Sequence, residues 1–583
     1  MLSQFGCRIP SEGRPGSVGS GAPLGLGPKW AVRDFSGMIV AQHGPPLVPV
    51  RSSFQIVGDV RLDSPERLLA VLGPALKQDA ASDLELCLLA YLRWGNRMLD
   101  HIDGEYALAI IDIDSRAVFM ARDVMGTRPL FYIEDGRHLV VGSNLTVLRA
   151  MAPDAGSVIN VPLLRGFLEL LPRFPDWRTQ TAFADIQRLP PGQCATANPG
   201  PLQSASHAEL LPDSGGCRNS DDYVERFGAL FSQAIRSRLR GVRRPAILVS
   251  GGQDSSAIAC QMFADRQPGG PIPHLYSWVF PLGHGADERS YLEAVVEQCA
   301  PSPVVTLRGE FCFGIEADHG SRAMLAPETF PNPVLFERMA MRAVADGADA
   351  VFTGEWGDEV VQAAGFEMPH VFGELSFTRA LADLADYRRF NHVGRLWLEQ
   401  AARPLLDRYR RRRDRTQGND VPATVNGFTA RRVWSNVRGG RGCLRTTRLN
   451  RFEEVTGVAW QTPFLDRRLV SHLLAVPAEE RLRYGRTKHL MRRAMTGILP
   501  EQVRMRTAPA NCDQINDSGI QRDAGIITSL LLAGRLVDLG ILSAARRDAL
   551  LAGLHNPAQR VRNWKSILLR SVHVELWLAG SGR

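Results

Sequence analysis

The chain has 583 residues, 69 basic against 61 acidic side chains, a formal net charge of +8 and a hydrophobic share of 44%. This apolar share excludes a disordered chain, and the length exceeds what one hydrophobic core holds, so we expect two or more domains. No run of about 18 uncharged apolar residues is present, which argues against a membrane span. Residues 1–16 lack the apolar centre of a secretory signal, which predicts a cytoplasmic protein.

The mild positive charge is compatible with an anionic ligand such as a nucleotide, and it does not by itself indicate a nucleic-acid partner. Nine cysteines are scattered along the chain without CxxC or zinc-ligand spacing. This pattern predicts reduced thiols that are mostly buried.

The first part of the chain predicts an antiparallel sheet with helices. Residues 1–50 are rich in Gly, Pro and Ser and predict loops mixed with short strands. The pattern also predicts a helix over Asp83–Trp94 with Ser82 as its N-cap. From residue 54 to residue 197, turns of Asp, Gly and Arg separate short β-prone runs, among them Ala107–Asp112, Ala117–Ala121 and Leu139–Gly142.

The pattern changes after residues 198–219, a Pro-, Gly- and Ser-rich segment without periodicity that we predict to be a linker. Apolar strands then alternate with amphipathic helices, which predicts βαβ units, a parallel sheet covered on both faces, and ligands at the carboxyl ends of its strands. The predicted strands are Ala246–Val249, Leu275–Phe280, Val304–Leu307 and Ala350–Thr353, and the predicted helices are Asp222–Arg240, Glu288–Gln298 and Val334–Ala345.

Residues 375–450 are predicted to be helical and are strongly basic. Their pattern is typical of a solvated helix face with a mobile loop. The alternative is a docking surface for an acidic peptide or for phosphates. The arginines concerned are the run Arg408 to Arg413 and then Arg431, Arg432, Arg438, Arg441, Arg445 and Arg448.

The strongest functional signal is the run Ser250-Gly-Gly-Gln-Asp-Ser-Ser256, which follows an apolar strand and opens a helix. Glycines let a backbone approach a phosphate, and hydroxyl and N–H groups at a helix start donate hydrogen bonds to oxyanions. Asp254 has no basic neighbour in the sequence, which indicates a magnesium ligand. An ordinary helix-capping turn would explain the glycines but not the Asp and the hydroxyls together.

SGGxDSS resembles the pyrophosphate loop of the N-type ATP pyrophosphatases, and within them that of the asparagine synthetase superfamily. The resemblance implies that ATP is cleaved between its α and β phosphates and that AMP is left on a carboxylate. The run Thr353-Gly-Glu-Trp-Gly-Asp-Glu359 is similar to the GEGxDE motif of that superfamily. By this resemblance Asp254 and Asp358 would bind Mg²⁺ against the β and γ phosphates, and Glu355 would lie close to the reacting carboxylate.

The resemblance extends over about residues 54–510 and the closing helix Val572–Leu578. Ala286–Tyr291, Pro463–Asp466 and Gly485–Lys488 are similar to its DExxY, PFLD and GxxK segments. Gly104–Ala109, Ala121–Leu130 and Arg188–Gly192 resemble its glutaminase-type domain. The nucleotide site that the resemblance implies comprises Leu248, Ser250, Gly251, Gly252, Asp254, Ser255, Ser256, Trp278, Thr353 and Gly354, with the strand of Trp278 against adenine.

We therefore predict an α/β + α+β fold. Residues 1–197 form a glutaminase-like (Ntn-type) antiparallel β/α domain, residues 198–219 a linker, and residues 220–583 a doubly wound parallel-sheet ATP-pyrophosphatase domain with C-terminal helices. Glutamine-dependent members of the superfamily resemble one another in a nucleophilic Cys directly after the initiator Met. Residue 2 is Leu here, so we predict a glutaminase fold without its nucleophile, unless processing makes Cys7 N-terminal.

Three further departures separate this chain from asparagine synthetases. Trp356 replaces a glycine of the GEGxDE motif. The stretch Gly457-Val-Ala-Trp-Gln-Thr-Pro463 lacks the two charges that the family carries before PFLD and contains the indole of Trp460, which suggests a larger, less polar acceptor. The family's Lys near residues 505–510 is absent, so either Arg506 supplies its charge or the enzyme is slow or inactive. Lys488 matches the GxxK motif and has an alternative interpretation as an exposed helix charge.

Lasso-peptide macrolactam (isopeptide bond-forming) cyclases resemble this chain most, because they lack the glutaminase Cys. The resemblance implies ATP and Mg²⁺ as cofactors, Glu355, Lys488 and Arg506 as catalytic residues, and a precursor core peptide as substrate. A leader peptidase and a leader-recognition protein would be partners, and neither nucleic acid nor a membrane span is expected. Trp356, Trp460 and the basic residues 408–448 are hypothetical peptide contacts.

Alternatives remain open. The same scaffold could make asparagine or a β-lactam, although β-lactam synthetases look similar but carry a Tyr at the position of Glu355. A catalytically degenerate binding protein is a second alternative, because of Trp356 and the absent Lys. A tRNA-modifying pyrophosphatase would leave the N-terminal domain unexplained.

Overall fold

Two antiparallel sheets form the first part of the computed structural model. The structure describes residues 4–10, 30–35, 38–43, 47–73, 82–169, 175–198, 200–282, 284–309, 327, 333–362, 421–481, 483, 486–507 and 513–581. The strands are β1 (Gln4–Pro10), β2 (Trp30–Phe35), β3 (Met38–His43), β4 (Phe54–Leu62), β5 (Gly104–Asp112), β6 (Val118–Arg122), β7 (Phe131–Glu134), β8 (His138–Gly142), β9 (Gln187–Arg188), β10 (Gln193–Ala197) and β11 (Gln203–Ser206). The strand orders are β2-β3-β1-β8-β7-β9 and β11-β10-β6-β5-β4.

The core of this part lies between the two sheets. Phe5 of β1 and Val40 of β3 pack in one cluster with Val57 of β4 and Met120 of β6. The apolar alternation along these strands turns one face of each sheet inward. The flanking helices are α1 (Pro65–Leu72), α2 (Asp83–Trp94), α3 (Leu145–Met151) and α4 (Val161–Leu168).

The helix predicted over Asp83–Trp94 is confirmed with the same bounds. The Ser82 hydroxyl accepts a hydrogen bond from the Glu85 N–H at 3.1 Å, as expected of an N-cap. The buried face of α2, including Leu86 and Leu88, packs in a cluster with β4 and β5.

A five-stranded parallel sheet forms the second part. It consists of β12 (Pro245–Leu248), β13 (His274–Val279), β14 (Val304–Arg308), β15 (Ala350–Thr353) and β16 (Ala459–Gln461), in the order β14-β13-β12-β15-β16. All strand pairs are parallel. Helix α5 (Ser220–Leu239) precedes β12, and the helices between β12 and β15 are α6 (Gln253–Ala264), α7 (Arg289–Gln298) and α8 (Pro333–Ala345). The predicted fold class is thereby confirmed.

The order places β13 and β15 on opposite sides of the central strand β12. The chain reverses its direction of winding at this point, and the loops after β12 and β15 leave the same edge of the sheet. Such a crevice at the carboxyl ends of the strands is where open α/β sheets bind ligands.

Two α-helices of the described residues lie between β15 and β16, and further helices follow β16 to the end of the described chain. Trp577 near its end contacts Phe183 with ring centroids 5.1 Å apart, so the closing helix packs on the first part of the chain. None of the helices in the described ranges has the length and apolar character needed to cross a membrane. The helices are α9 (Phe428–Arg438), α10 (Gly440–Thr456), α11 (Arg467–Ala475), α12 (Ala478–Arg481), α13 (His489–Ala494), α14 (Glu501–Arg504), α15 (Asp513–Arg522), α16 (Ala524–Ala533), α17 (Ala544–His555) and α18 (Trp564–Ser581).

The segment 198–219 is more structured than the prediction of a linker implies. Strand β11 lies inside it and pairs with β10, so it extends the second antiparallel sheet. Leu210 is fully buried in the core of the parallel-sheet part. The strand was missed because its four residues, Gln-Ser-Ala-Ser, are all exposed and carry no apolar alternation. The domain boundaries themselves stay a prediction.

A buried ion network joins the two parts of the chain. Arg128 contacts Asp59 at 3.3 Å, Glu105 at 3.1 Å and Glu453 of α10 at 3.3 Å. Arg238 of α5 contacts the same Glu105 at 2.6 Å. Buried charges of this kind are tolerated only when each has its partners, so the network fixes one arrangement of the two parts.

Glu453 predicts a pH dependence of stability. Burial raises its pKa from an ordinary value of 4.5 to about 7, although Arg128 acts in the opposite direction. A raised carboxyl pKa contributes stability that is complete below the unfolded value and is lost as the pH rises through the folded value. The wild type is therefore expected to lose about 1–3 kcal/mol between pH 5 and pH 8 through this group.

Glu453→Gln is expected to remove that part of the pH dependence, measured as the difference in Tm between pH 5 and pH 8. Glu297→Gln, which changes an exposed carboxylate on α7, serves as the control and should retain the wild-type difference. Equal pH dependence in both variants would contradict the assignment to Glu453.

Candidate active site

The loop after β12 is shaped by its own side chains. The Ser250 hydroxyl accepts a hydrogen bond from the Gly252 N–H at 3.2 Å, and the Ser255 hydroxyl accepts from the Ser250 N–H at 3.3 Å. Gly251 has a φ of +81°, and a Cβ there would lie 2.9 Å from the Cβ of Tyr291. Only glycine satisfies both conditions. Because Gly252 has no side chain that could cap α6, the N-terminus of that helix is left open, and such helix starts bind phosphates.

Asp254 and Asp358 lie together at the end of the sheet. β12 and β15 are neighbours, with Leu248 opposite Thr353, so the loops that carry both carboxylates leave side by side. The Lys488 Nζ contacts Asp254 Oδ2 at 2.6 Å and Asp358 Oδ1 at 2.7 Å. One small cation therefore reaches both carboxylates at once, as the sequence predicts for Mg²⁺.

Lys488 is buried, so its interpretation as an exposed helix charge is wrong. It precedes α13 with a φ of +56°, in the left-handed region that non-glycine residues seldom adopt, and this turn directs the chain into the site. Burial opposes its charge, but Asp254 and Asp358 together raise the pKa of Lys488. Gly485 of the same motif lies outside the described residues.

The two carboxylates have different surroundings. Burial raises the pKa of Asp254 to about 6 even though Lys488 favours its ionised form. Asp358 has an exposed side chain, and Lys488 lowers its pKa. The pair is therefore half enclosed, with one carboxylate in the protein and the other facing solvent.

The residues fit a magnesium ion that also binds a substrate. In the described part of the chain, no group of three or more His, Cys, Asp or Glu side chains could hold a metal by themselves. Mg²⁺ usually takes one or two protein carboxylates and completes its shell with water and substrate phosphates. Asp254 and Asp358, which both contact the ammonium group of Lys488, are such a pair.

Glycines in the second loop make room for this arrangement. A Cβ on Gly354 would lie 2.6 Å from the Ser255 N, and a Cβ on Gly357 would lie 2.3 Å from the Asp254 carboxylate carbon. Gly357 was not predicted as a site residue. Its position next to Asp358 in the second motif could have indicated it.

Gly357→Ala is expected to displace the Asp254 carboxylate and to reduce ATP–pyrophosphate exchange by about 10- to 100-fold, because a misplacement of about 1 Å costs this much. Gly228→Ala, in α5 with nothing within 4 Å of the added Cβ, is the control. Wild-type exchange in Gly357→Ala would contradict the contact.

Arg506 lies beside the phosphate loop. It forms an ion pair with Glu288, its Nη1 is 3.4 Å from the Gly251 carbonyl oxygen, and its guanidinium lies 4.3 Å from the centre of the Tyr291 ring. Burial raises the pKa of Glu288, against the effect of Arg506. Glu288 and Tyr291 were recognised only as part of a motif, and the structure brings both to the loop.

Two arginines of α10, Arg445 and Arg448, contact acidic residues of the second loop. Arg448 is 5% exposed and forms an ion pair with Glu355, and Arg445 contacts Glu359 at 2.6 Å. The interpretations as a solvated face and as a docking surface are both wrong for Arg448, because its charge is already matched inside the site. Residues 408–413 lie outside the described residues.

The hypothesis that Trp356 and Trp460 contact the peptide is wrong in this structure. Trp356 is 1% exposed, with a φ of +73°. Trp460 is 5% exposed and stacks on Phe452 with ring centroids 4.6 Å apart. Both indoles belong to the core of the parallel-sheet part, so their contribution is packing.

The remaining predicted residues lie near the same edge. Leu248 is buried at the end of β12, and the Thr353 hydroxyl accepts a hydrogen bond from the Glu355 N–H at 3.3 Å. Trp278, close to the end of β13, is partly buried and packs edge-on against Phe336. Ser256 is fully buried, and its hydroxyl has no hydrogen-bond partner among the described residues.

Cys7 lies in the middle of β1, which is paired on one side with β3 and on the other with β8. It is fully buried, and burial raises the pKa of its thiol to about 12. A thiol of this kind is not ionised at neutral pH and does not act as a nucleophile. In this structure the first part of the chain holds Cys7 as a core residue.

The family model for asparagine synthase matches residues 226–579, which is more than half of the chain. The chain belongs to the asparagine synthase family. Membership implies ATP-dependent amide bond formation by an AMP-forming ligase. A glutamine amidotransferase domain model matches residues 69–207 of this family member.

Three relatives are similar in sequence to this asparagine synthase family member over most of its length. Asparagine synthetase [glutamine-hydrolyzing] 3 of Bacillus subtilis is 23% identical over 463 residues, which are 73% of this chain and 70% of the relative. Amidase chry2 of Gibberella zeae is 22% identical and covers 75% of this chain and 74% of its own length. The glutamine-hydrolyzing asparagine synthetase of Rattus norvegicus is 24% identical, covering 74% and 67%.

Proposed function

We propose that this protein is a peptide macrolactam cyclase. It activates the side-chain carboxylate of an Asp or Glu in a core peptide with ATP and joins it to the N-terminal amine of the same peptide. The observation that carries the ligase chemistry is the meeting of Asp254 and Asp358 on one cation, Lys488, beside an open phosphate loop. The choice of an internal amine is supported by the thiol of Cys7, which is fully buried in β1 and not ionised at neutral pH, so that it does not release ammonia from glutamine.

Binding and charge neutralisation are the first task of the site. The loop Ser250–Ser256 and the start of α6 hold the phosphates, and Asp254 and Asp358 would hold Mg²⁺, which supplies positive charge to the phosphate oxygens. With Mg²⁺ on the carboxylates, Lys488 would be available to pair with the phosphates. Arg506 adds a bidentate donor on the other side of the loop.

Amide formation then takes two transfers. A substrate carboxylate oxygen attacks the α phosphorus and pyrophosphate leaves, with its charge neutralised by Lys488 and Arg506. The peptide amine attacks the activated acyl carbon, AMP leaves, and the amine proton passes to a base. Glu355 lies next to this reaction, and its ion pair with Arg448 keeps its charge from repelling the incoming carboxylate.

A ring-closing reaction places particular demands on the site. The amine and the activated carboxyl belong to one molecule, so holding both in contact supplies a large part of the rate. The protein would take the core peptide as its substrate and would work with a leader peptidase and a leader-recognition protein in the cytoplasm. The reaction needs no nucleic acid.

The test is pyrophosphate release with and without a linear core peptide, together with the mass of the product. We expect release to depend on the peptide and the product to be lighter by one water. Equal release with free aspartate and ammonia would overturn the cyclase assignment. No release with any acceptor, and no ATP–pyrophosphate exchange, would indicate a degenerate binding protein, and a product mass matching a β-lactam would indicate a β-lactam synthetase-like ligase.

Asparagine synthesis is the second candidate, and the names of the Bacillus and rat relatives favour it. The two functions differ at Cys7. We expect Cys7→Ala to leave peptide-dependent pyrophosphate release unchanged, because the thiol takes no part in it. Glutamine-dependent asparagine formation that is lost in Cys7→Ala would instead support the second candidate.

A further inference from the structure

We propose that Gln253 is a positioning residue that places Arg506 at the phosphate loop. Gln253 is the first residue of α6 and lies between Gly252 and Asp254. Its Nε2 donates to the carbonyl oxygens of Val503 at 3.3 Å and Arg504 at 2.9 Å. A side chain of the phosphate loop thus holds the backbone of the segment that carries Arg506.

The chain positions of these two carbonyl groups explain how the hydrogen bonds of Gln253 act on Arg506. Val503 and Arg504 end α14, and Arg506 follows two residues later. The two carbonyl groups that accept hydrogen bonds from Gln253 therefore fix the backbone from which the Arg506 side chain extends. From there it reaches the Gly251 carbonyl oxygen and Glu288, on the far side of the same loop.

Other contacts also hold the segment, and two of them show what the hydrogen bonds of Gln253 add. Gln502 donates to the Ser290 carbonyl oxygen at 3.2 Å, which ties α14 to α7. Arg492 donates to the carbonyl oxygens of Thr487 at 2.7 Å and Arg504 at 2.5 Å, which ties the segment to the residue before Lys488. Gln253 adds the only one of these three contacts that comes from the phosphate loop itself.

The chemistry of the amide suits this role. A neutral donor satisfies two carbonyl oxygens without adding charge next to Asp254, whereas Lys or Arg at this position would compete for that carboxylate. The inference rests on the proposed role of Arg506 as a phosphate ligand. It does not depend on which acceptor the enzyme uses.

The test is a double-mutant cycle of Gln253→Met and Arg506→Met, read as the Kd of Mg²⁺–ATP and of AMP by calorimetry without any peptide. We expect Gln253→Met to weaken ATP binding by about tenfold through the loss of two hydrogen bonds, and to leave AMP binding unchanged. If Gln253 acts through Arg506, the double variant binds ATP no more weakly than Arg506→Met alone.

Gln261→Met is the matched control. It removes a buried amide from the same helix, whose Nε2 donates to Asp265 at 3.0 Å, and it should leave the Kd of ATP as in the wild type. Unchanged ATP binding in Gln253→Met, equal weakening of AMP, or multiplied effects in the double variant would each overturn the inference. Failure of the cyclase proposal is seen separately, as a wild type that binds ATP but closes no peptide.

Discussion

Asp254→Asn is expected to reduce ATP–pyrophosphate exchange by about 100- to 1000-fold or more. Asn keeps the size of the side chain and loses the charge that the site needs for a divalent cation. Because Lys488 still contacts Asp358 at 2.7 Å, the fold keeps a partner for the ammonium group. The loss should therefore appear in exchange and in the Kd of Mg²⁺–ATP, while the Tm without ligand stays close to that of the wild type.

The control for Asp254→Asn is Asp265→Asn, at the other end of α6. Asp265 accepts hydrogen bonds from Ser232 and Gln261 and lies outside the proposed site. Exchange in Asp265→Asn should match the wild type once the folded fraction is taken into account. Full exchange in Asp254→Asn would show that this carboxylate binds no catalytic cation, and the proposed metal site would be wrong although adenylation itself would stand.

The meeting of Asp254 and Asp358 was expected from the resemblance of their two motifs to those of the asparagine synthetase superfamily. Each follows an apolar strand, and loops after neighbouring parallel strands leave the same edge of a sheet. The motifs around them also indicated close backbone approach. The parallel sheet itself was predictable for the same reason, since its strands read as short continuous apolar runs.

The surroundings of these carboxylates could not be predicted in the same way. Lys488 reaches Asp254 across 234 positions of sequence, through a left-handed turn that its local sequence does not require. Trp356 and Trp460 look like ligand contacts because of what they replace, and whether an indole faces a ligand or the core is decided by neighbours from other elements. Burial of Arg448 depends on Glu355, which is distant in sequence.

Arg238→Met is expected to lower the free energy of unfolding by about 3–5 kcal/mol at pH 7, because it removes a buried cation that two buried carboxylates share. The Arg238 side chain is 1% exposed and contacts Glu105 at 2.6 Å and Asp466 at 3.1 Å. Burial opposes ionisation of Asp466, but Arg468 and Arg238 hold its pKa at about 2. Since Glu105 belongs to β5 and Asp466 precedes α11, the loss should also loosen the junction between the two parts of the chain.

The sign of the pH effect separates this loss from a simple packing defect. A lowered carboxyl pKa contributes stability above its unfolded value, and that stability is lost as the pH falls through the folded value. The difference in free energy of unfolding between Arg238→Met and the wild type, measured in urea, should therefore narrow as the pH falls from about 4 towards about 2. Arg240→Met, which removes a half-exposed partner of Asp83 near the end of the same helix, should cost no more than about 1 kcal/mol. A difference that is equal at both pH values, or equal in the two variants, would mean that the Arg238 charge does not hold the junction.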